Sequence, residues 1–379
     1  MLDVRFLCTF AGGTGHLEPT LPVARALRAR GHEVAYACQA DLLPSVRRAG
    51  FPAHDTGGAT VLPASGRRPL VPLDRAAEQD VVRRVYAGTV ARERAARLRE
   101  LAAAWSPDVV VRDELDFGAA VAGEALGLPH AAVVVIAAGG FVRPDVVGQA
   151  VDELRAEHGL PPDAGMLHRS LTVVPVPPSY RDPRDPVPGA AVHVRPAGWT
   201  QERRREPLVL VTLGTVFPQE SGDLFPRLLA GVRDLPVEVL VTVGPALDPA
   251  ELGPQPAHVR VERFVPVADV LPRCAAVVSH GGSGTVVAAL AAGVPSVLLP
   301  MGADQPWNAD RCVALGVGRA LDAVTATPAE IREALVAVLH DPAPRAAAEA
   351  LRAEVAGLPG PERAAELLEE LGAAARSGR

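Results

Sequence analysis

Continuous apolar stretches alternate with amphipathic stretches along the first half of the chain. A strand pattern, VRFLCTF, runs into the turn AGGTG, and LEPTLPVARALRARG then follows as a helix that ends at glycine. The same order returns further along, in PDVVVRD, FGAAVAGEALG and HAAVVVIAA. Strands that are apolar throughout, rather than at alternate positions, are typical of a parallel sheet with both faces covered. The pattern therefore predicts an α/β domain of the doubly wound type.

A proline-rich, charged segment between residues 173 and 206 interrupts this pattern, and the alternation then restarts from PLVLVTLGT to PSVLLPM. Two doubly wound halves place ligands outside the carboxyl ends of their strands, facing the cleft between the halves. The predicted division is a first domain at 1–190, a linker at 191–206, a second domain at 207–355, and a helix at 356–379 that packs back on the first domain.

The amino-acid composition excludes several partners and reaction types but says little about the fold. The net charge of −6 argues against a nucleic acid or an anionic membrane as partner. All 38 basic residues are arginine, which excludes a phosphate-loop lysine, a Schiff base and a pyridoxal phosphate anchor. The wealth of Ala, Gly and Pro, with Asn308 as the single asparagine, suggests a GC-rich genome such as that of an actinomycete.

The cysteines and the apolar runs predict neither a redox framework nor a membrane anchor. The four cysteines form no C-x-x-C pair, so we expect small buried hydrophobic side chains rather than a zinc site or disulfides. No apolar run approaches the roughly 20 residues of a membrane span, and the N-terminus lacks a signal-peptide pattern. We expect a soluble, cytoplasmic protein without stable membrane insertion, and the pattern leaves a homodimer open.

The stretch VSHGGSGT, from Val278 to Thr285, joins an apolar strand to a helix start through a histidine, glycines and hydroxyl residues. The free N–H groups of a first helical turn, together with the helix dipole, form an anion site. Glycines let a phosphate approach the backbone, and Ser283 and Thr285 add hydroxyl donors. Taken alone, the turn is equally compatible with a connection that binds nothing.

A second polar group follows the next apolar strand. The stretch ADQPWNADRC places Asp304 and Gln305 at the carboxyl end of that strand. Adjacent acceptor and amide side chains suit the vicinal hydroxyl groups of a sugar. They equally suit a helix start, with Asp304 as N-cap and Pro306 in the first turn, and the two roles are compatible.

HGGSGT followed by ADQPWNA closely resembles the donor-binding signature of the family 1 glycosyltransferases of the GT-B fold, most of all bacterial enzymes that attach sugars to antibiotic-type natural products. The likeness spans nearly the whole chain, from GGTGHLEP to the last helix. It implies that Asp304 and Gln305 contact sugar hydroxyl groups. It also implies donor contacts near the diphosphate from Gly13, Thr215, His280, Gly281, Gly282, Ser283, Gly284 and Thr285.

The base-binding stretch RFVPVADVL departs from the family pattern. Relatives that bind UDP often have Trp-x-Pro-Gln here, whereas this chain has Phe264 and Val265 and lacks the glutamine. Phe264 can still stack on a base, and Val265 can offer backbone hydrogen bonds. Ala288 stands where plant relatives place an acidic residue that would bind ribose hydroxyls. Its absence suits a 2′-deoxyribose, because a buried hydroxyl without a partner is costly, so we favour a dTDP-sugar over a UDP-sugar.

The first half supplies a candidate general base. His16 follows the first strand and turn, and a neutral imidazole can take a hydroxyl proton at physiological pH. Asp113 ends the strand PDVVVRD and can orient the imidazole, as the family's His–Asp pair does. Glu114 and Asp116 are near in sequence, so the histidine is the firmer assignment.

These assignments imply a metal-independent transfer. The acceptor oxygen attacks the anomeric carbon opposite the diphosphate, with inversion as the family expectation, and the donors of the glycine-rich turn stabilise the leaving group. The sequence has no Asp-x-Asp pair, the usual metal holder of the other glycosyltransferase fold. No cofactor is expected beyond the nucleotide sugar, and the partners are that donor and a small aglycone.

Other functions remain open with less support. They include a nucleotide-sugar epimerase, a transferase acting on a lipid-linked acceptor, and a non-catalytic helper of a partner enzyme. A NAD-dependent dehydrogenase is disfavoured, because GGTGHLEP lacks the G-x-G-x-x-G order and no acidic residue ends HEVAYAC. The acceptor cannot be read from the sequence. Its pocket is expected in the poorly patterned stretches 55–100 and 140–172, with Trp105, Phe117 and Phe141 as an apolar wall or as core.

Overall fold

The computed structural model describes residues 4–58, 68–187, 190–202, 206–245 and 247–377. Two sheets form its framework, one in each half of the chain, and all the strand pairs are parallel. This confirms the predicted architecture of two doubly wound, Rossmann-like halves. The boundaries proposed for the domains stay a prediction, and part of the predicted linker, residues 203–205, lies outside the described residues.

The first sheet places its strand reversal beside the predicted base. Its strands are β1 (Arg5–Thr9), β2 (Glu33–Cys38), β3 (Ala53–Asp55), β4 (Val109–Asp113), β5 (His130–Val133), β6 (Leu171–Val174) and β7 (Ala191–His193). Their order in the sheet is β3-β2-β1-β4-β5-β6-β7. The order reverses between β1 and β4, where Thr9 is paired with Arg112. Ligands of doubly wound sheets bind at the carboxyl ends of the strands at such a reversal.

The second sheet repeats this arrangement. Its strands are β8 (Leu208–Thr212), β9 (Glu238–Thr242), β10 (Val259–Glu262), β11 (Cys274–Ser279), β12 (Ser296–Leu298) and β13 (Gly318–Ala320), and their order is β10-β9-β8-β11-β12-β13. The reversal falls between β8 and β11, where Thr212 is paired with Ser279. The glycine-rich turn that follows Ser279 therefore begins at the reversal of this sheet.

Helices cover both faces of the sheets, as parallel sheets require. In the first half they are α1 (Thr14–Leu17), α2 (Leu21–Ala29), α3 (Leu43–Arg48), α4 (Arg75–Val81), α5 (Ala91–Trp105), α6 (Phe117–Ala125) and α7 (Pro144–Glu157). In the second half they are α8 (Leu224–Val232), α9 (Val267–Val270), α10 (Ser283–Ala292), α11 (Gln305–Ala314), α12 (Pro328–His340), α13 (Pro342–Gly357) and α14 (Pro361–Ser377). Between α4 and α5 lies a π-helix, Val82–Val90. This helix type is rare in proteins, and where it occurs it is often found at a functional site.

Apolar packing and several hydrogen bonds join the two halves. Val134 and Tyr180 of the first half pack with Val286 and Leu290 of α10. The Tyr180 hydroxyl donates to the carbonyl oxygen of Asn308 on α11 at 3.0 Å. All four cysteines lie in the described part of the chain, where they are buried and form no disulfide, in agreement with their expected role as small hydrophobic side chains. The apolar and polar contacts together hold the strand reversals of the two sheets in a fixed relation.

The last helix, α14, returns to the first domain. Ala364 and Leu368 on its inner face are buried in the same cluster as Leu21 of α2. Glu369 accepts hydrogen bonds from two nitrogens of Arg30, at 2.6 and 2.7 Å. The helix therefore crosses back over the start of the chain, where it packs against the domain that holds His16.

One predicted strand is shorter than its apolar run. HAAVVVIAA reads as a strand throughout, but β5 ends at Val133, and residues 134–138 continue as a loop. Val134 still donates its backbone N–H to Val173 of β6, but the N–H groups of residues 135–138 donate to side chains. Ala138, for example, donates to Asn308 of the second half. Apolar periodicity cannot separate such a buried loop from a strand, because both exclude water.

Candidate active site

His16 and Asp113 are in direct contact at the reversal of the first sheet. His16 lies on the one-turn helix α1, and Asp113 is the last residue of β4. Nδ1 of His16 is 2.9 Å from Oδ2 of Asp113. The carboxylate also accepts the backbone N–H groups of Ala11, Leu115 and Asp116, at 2.9, 2.6 and 2.7 Å. These four donors fix the carboxylate, so the imidazole orientation is fixed as well.

His16 and Asp113 each influence the protonation state of the other. Burial alone would raise the pKa of Asp113, but the His16 charge, its hydrogen bond and the backbone donors lower it. An ionised Asp113 has no hydrogen to give, so Nδ1 of His16 donates and Nε2 is the free acceptor. Burial would lower the pKa of His16, but the charges of Asp113, Asp304 and Glu114 outweigh burial and raise it.

The imidazole is also held by packing. The ring of Tyr86, on the π-helix, lies nearly parallel to it, with centroids 6.0 Å apart and an interplanar angle of 10°. A Cβ added to Gly12 would lie 2.3 Å from Cδ2 of His16, so glycine is required for the ring to take this position. Gly13, by contrast, has open space where a Cβ would be, which leaves its backbone accessible to a ligand.

The neighbouring carboxylates have other partners. Oε1 of Glu114 accepts the N–H groups of Val135 and Ile136 at 2.8 and 2.7 Å. Asp116 is completely buried against Arg94, with Oδ2 and Nη2 2.5 Å apart. Of the three carboxylates that the sequence brings close together, Asp113 is therefore the one that meets the imidazole.

The glycine-rich turn of the second half packs around His280. Gly281 has a φ of +88°, a conformation that favours glycine, and Gly282 is the N-cap of α10. A Cβ on Gly282 or Gly214 would lie 2.5 or 2.8 Å from the His280 ring. His280 is 7% exposed, and its Nδ1 has no hydrogen-bond partner among the described residues. Burial lowers its pKa to about 4, so the imidazole is neutral at pH 7.

Asp304 and Ser283 make contacts that the sequence did not predict. Oδ2 of Asp304 accepts the backbone N–H of Ser283 at 3.1 Å, and the Ser283 hydroxyl donates to the same oxygen. The Ser283 hydroxyl also accepts the N–H of Ala137 at 2.8 Å. It is thus committed to other protein groups, where we expected a free hydroxyl for a phosphate. Gly284 and Thr285 lie next on α10, exposed and half-buried, with no such side-chain contact in the described residues.

The remaining predicted donor residues follow strands β8, β10 and β12 of the second sheet. Gln305 is buried, and its Oε1 accepts the N–H groups of Met301 and Gly302 at 2.7 and 3.3 Å, so Nε2 is the amide atom left for a ligand. Thr215 is exposed in the turn after β8. Phe264 is 58% exposed, among the most exposed large hydrophobic side chains of the described residues, and Val265 beside it is half-buried.

The chain matches known proteins over nearly its whole length. The family model described as Erythromycin biosynthesis protein CIII-like, C-terminal domain, matches residues 226–371. Elloramycin glycosyltransferase ElmGT of Streptomyces olivaceus is 34% identical over 94% of this chain and 95% of its own. The 10-deoxymethynolide desosaminyltransferase of Streptomyces venezuelae is 30% identical over 97% of this chain and 96% of its own. The chain belongs to the natural-product glycosyltransferases of the GT-B fold.

Solved structures of this glycosyltransferase family have the same fold. Spinosyn rhamnosyltransferase SpnG complexed with thymidine diphosphate superposes with a TM-score of 0.80 at 26% identity, over 97% of this chain and all of the other. The same enzyme has also been solved with the spinosyn aglycone. The resemblance predicted from HGGSGT and ADQPWNA is therefore confirmed, and the protein is a nucleotide-sugar-dependent transferase. No helix in its described parts is long and apolar enough to cross a membrane.

Two residues beside the candidate site, Glu78 and Tyr86, were not identified from the sequence. Glu78 of α4 reaches the turn before Asp304, where a Cβ on Gly302 would lie 2.9 Å from its Oε1. Burial and the charge of Asp304 raise the pKa of Glu78, although the N–H of Ala303 opposes this. Glu78 and Tyr86 lie in the stretch 55–100, whose helices lack the strand–helix rhythm that located the other site residues.

The three aromatic residues proposed for the wall of the acceptor pocket lie in different parts of the structure. Phe141 is buried edge-on against Trp307, with centroids 4.9 Å apart, at the contact between the halves. Phe117 is completely buried in the core of the first domain. Trp105 packs under the guanidinium of Arg5, which begins β1, so it lies at the amino end of that strand, opposite His16. Of the three, Phe141 is the one placed near the site.

Proposed function

We propose that this enzyme transfers a sugar, with inversion, from a dTDP-linked donor to a hydroxyl group of a small natural-product aglycone. The observation that carries the proposal is a set of hydrogen bonds that joins the two halves beside both predicted groups. In the loop after β5, the backbone N–H groups of residues 135 and 136 donate to Glu114, which follows Asp113 in the chain. The next N–H, of Ala137, donates to the Ser283 hydroxyl, which itself donates to Asp304 at the predicted sugar site. This short connection supports a site in which one small substrate reaches both His16 and Asp304.

In the proposed step, Nε2 of His16 accepts the hydroxyl proton of the acceptor while Nδ1–H stays bonded to Asp113. The acceptor oxygen forms a bond to the anomeric carbon as the bond from that carbon to the diphosphate oxygen breaks. The electron pair of the broken bond leaves with the diphosphate. The products are the glycoside, the nucleoside diphosphate and a protonated His16, and attack from the opposite side inverts the anomeric carbon.

The leaving diphosphate is proposed to bind at the start of α10. The backbone N–H groups of Gly284 and Thr285 and the Thr285 hydroxyl belong to its first turn, where the helix dipole favours an anion. His280 brings a buried ring nitrogen that lacks a partner among the described residues, and a diphosphate oxygen would supply one. These preorganised groups would stabilise the charge that develops on the leaving group.

Thymidine is the proposed nucleoside. The exposed ring of Phe264 is available to stack on a base, and Ala288 presents no carboxylate for a ribose 2′-hydroxyl. Two relatives were solved with the same nucleotide: SpnG with thymidine diphosphate and VinC with dTDP, the latter at 26% identity and a TM-score of 0.77. A buried polar group without a partner costs binding energy, so a deoxyribose fits a site without that carboxylate.

A panel of dTDP-, UDP- and GDP-sugars tests the proposal through thermal protection, because a ligand that binds the folded state raises its melting temperature. We expect the largest shift with a dTDP-sugar. Turnover is then measured with a set of aromatic and macrolide aglycones, and the anomeric configuration of the product is read by NMR. Greater protection by UDP-sugars would refute the nucleotide, and retention of configuration would refute the mechanism. Protection without turnover on any acceptor, lipid-linked ones included, would favour a non-catalytic helper.

A further inference from the structure

Asn308 uses its whole side-chain amide to connect the donor site to the first domain. It is completely buried on α11. Nδ2 lies 2.9 Å from the carbonyl oxygen of Gly281, 3.1 Å from Oγ of Ser283 and 2.8 Å from Oδ2 of Asp304. Oδ1 accepts the backbone N–H of Ala138, from the first domain, at 3.1 Å. Asn308 therefore touches the diphosphate turn, the sugar-binding carboxylate and the opposite half at once.

The loop that meets Asn308 is held at its other end beside the base. The backbone N–H groups of its four consecutive residues 135 to 138 donate to acceptors in both halves. The first two donate to Glu114, which follows Asp113 in the chain. The last two donate to Ser283 and Asn308 of the second half. The loop is thus a short spacer with the base side at one end and the donor side at the other.

Asp304 is held through a single oxygen. The contacts from Ser283 and Asn308 all go to Oδ2. These contacts anchor Oδ2, and Oδ1, which takes part in none of them, is the oxygen assigned to a sugar hydroxyl. Burial raises the pKa of Asp304, with the hydrogen bonds from Ser283 and Asn308 opposing that rise. An unsupported carboxylate at this place would rotate or take up a proton, and either change would remove a sugar contact.

We propose that Asn308 is a positioning residue, which sets the Asp304 carboxylate for the donor sugar and fixes the distance from that sugar to His16. This inference rests on the proposed function, because it assumes that Asp304 contacts the sugar and that His16 is the base. Asn308 does not touch the substrate. It acts through Asp304 on one side and through Ala138 on the other.

The test compares the affinity for a nucleotide sugar with the affinity for the nucleotide alone. The probes are dTDP-glucose and dTDP, measured by calorimetry, or the corresponding pair if the panel selects another nucleotide. We expect Asn308→Ala to weaken dTDP-glucose at least about 10-fold and dTDP less than about 3-fold, since a hydrogen bond to a charged group contributes most. Equal weakening of both ligands would overturn the inference.

A double-mutant cycle with Asp304→Ala tests whether Asn308 acts through Asp304. If it does, the double variant binds dTDP-glucose about as weakly as Asp304→Ala alone, because the second change removes nothing further. If the loss of dTDP-glucose affinity in the double variant instead equals the product of the two single losses, the inference is overturned. The kcat of Asn308→Ala should also fall at saturating donor, since the sugar and the base lose their fixed spacing. An unchanged kcat would contradict the role of the Ala138 contact.

Two further variants separate positioning from stability. Asn308→Asp keeps the volume and the acceptor for Ala138 but sets a carboxylate against Asp304, so it should reproduce the selective loss of dTDP-glucose even if Asn308→Ala fails to fold. Val338→Ala, in the apolar core of the second domain, should lower the melting temperature and leave the ratio of the two affinities unchanged. If wild-type enzyme fails to bind any nucleotide sugar, the proposed function itself is wrong. If it binds one normally and the variants do not shift the ratio, this inference alone fails.

Discussion

Nδ1 of His16 and the backbone N–H of Ala11 both donate to Oδ2 of Asp113, each at 2.9 Å. The negative carboxylate stabilises the protonated imidazole and raises its pKa, in spite of burial. The base proposed above must be neutral to accept a proton, so we expect activity to be lost as the pH falls through the raised pKa of His16. We expect a pH profile of kcat/KM whose acid limb lies above 6.5, the ordinary pKa of a histidine side chain.

Replacing Asp113 by Asn should move that limb. The neutral amide removes the charge that raises the pKa of His16, so the limb shifts to lower pH. The amide also permits the tautomer of His16 in which Nε2 carries the hydrogen and cannot accept a proton. The maximal rate should therefore fall by about 10²–10⁴-fold, the usual contribution of a positioned general base. Glu114→Gln is a control for loss of a nearby negative charge without loss of the imidazole contact. An Asp113→Asn enzyme with the wild-type limb would refute the assignment of His16.

Thr285 should contribute to donor binding through its hydroxyl at the proposed diphosphate site. It lies in the first turn of α10, and its hydroxyl has no side-chain contact in the described part of the chain. Thr285→Val keeps the shape and removes one hydrogen bond, which is worth about 0.5–1.5 kcal/mol. The donor Michaelis constant should therefore rise about 2- to 10-fold. Thr325→Val, at an exposed loop position, is the matched control, and equal effects of the two would remove Thr285 from the site.

Phe264 offers a direct test of base stacking. Because its ring is 58% exposed, truncation to alanine should cost almost no folding stability. Stacking of a base on an aromatic side chain contributes about 1–3 kcal/mol, so calorimetry should show weaker binding of dTDP. Leu126→Ala, on an exposed part of the first domain, controls for loss of exposed apolar surface. Unchanged dTDP affinity in Phe264→Ala would place the nucleotide elsewhere.

Part of this site was predictable because it depends on strand ends. Parallel strands deliver the residues after their last position to one edge, so the sequence located His16, Asp113 and His280 without knowledge of side-chain contacts. The engagement of Ser283 was not predictable. Its partners, Asp304 and the N–H of Ala137, are distant in sequence, and the loop that carries Ala137 has the composition of a strand.

The helical insertion beside the site could not be predicted from the sequence for a different reason. Glu78 and Tyr86 approach the site from a helical insertion whose position depends on tertiary packing. Tyr86 packs on the core of the first domain, and Glu78 lies beside Gly302 of the second. The π-helix that carries Tyr86 has no sequence signal that separates it from an α-helix, because both are built from the same residue types. The turn HGGSGT, by contrast, shows its geometry in its glycines, which must accommodate the His280 ring.

Glu369 should make the docking of α14 sensitive to acid. It accepts hydrogen bonds from Arg30 and lies 2.6 Å from Nε2 of His32, and the Arg30 contact is the main cause that lowers its pKa to about 2. A carboxylate with a lowered folded pKa stabilises the protein above its unfolded pKa, and this stability is lost as the pH falls from about 4.5 to about 2.

We therefore expect Glu369→Gln to lower the free energy of unfolding at pH 7 by on the order of 1 kcal/mol, because the pair is partly exposed and screened. The difference from wild type should shrink as the pH falls through that window, when wild-type Glu369 is itself protonated. Denaturant titrations at pH 7 and pH 3 measure this difference. Glu370→Gln, at the neighbouring exposed position, should leave stability unchanged at both pH values. A Glu369→Gln penalty that is the same at both would mean that lost packing, and not lost charge, is responsible.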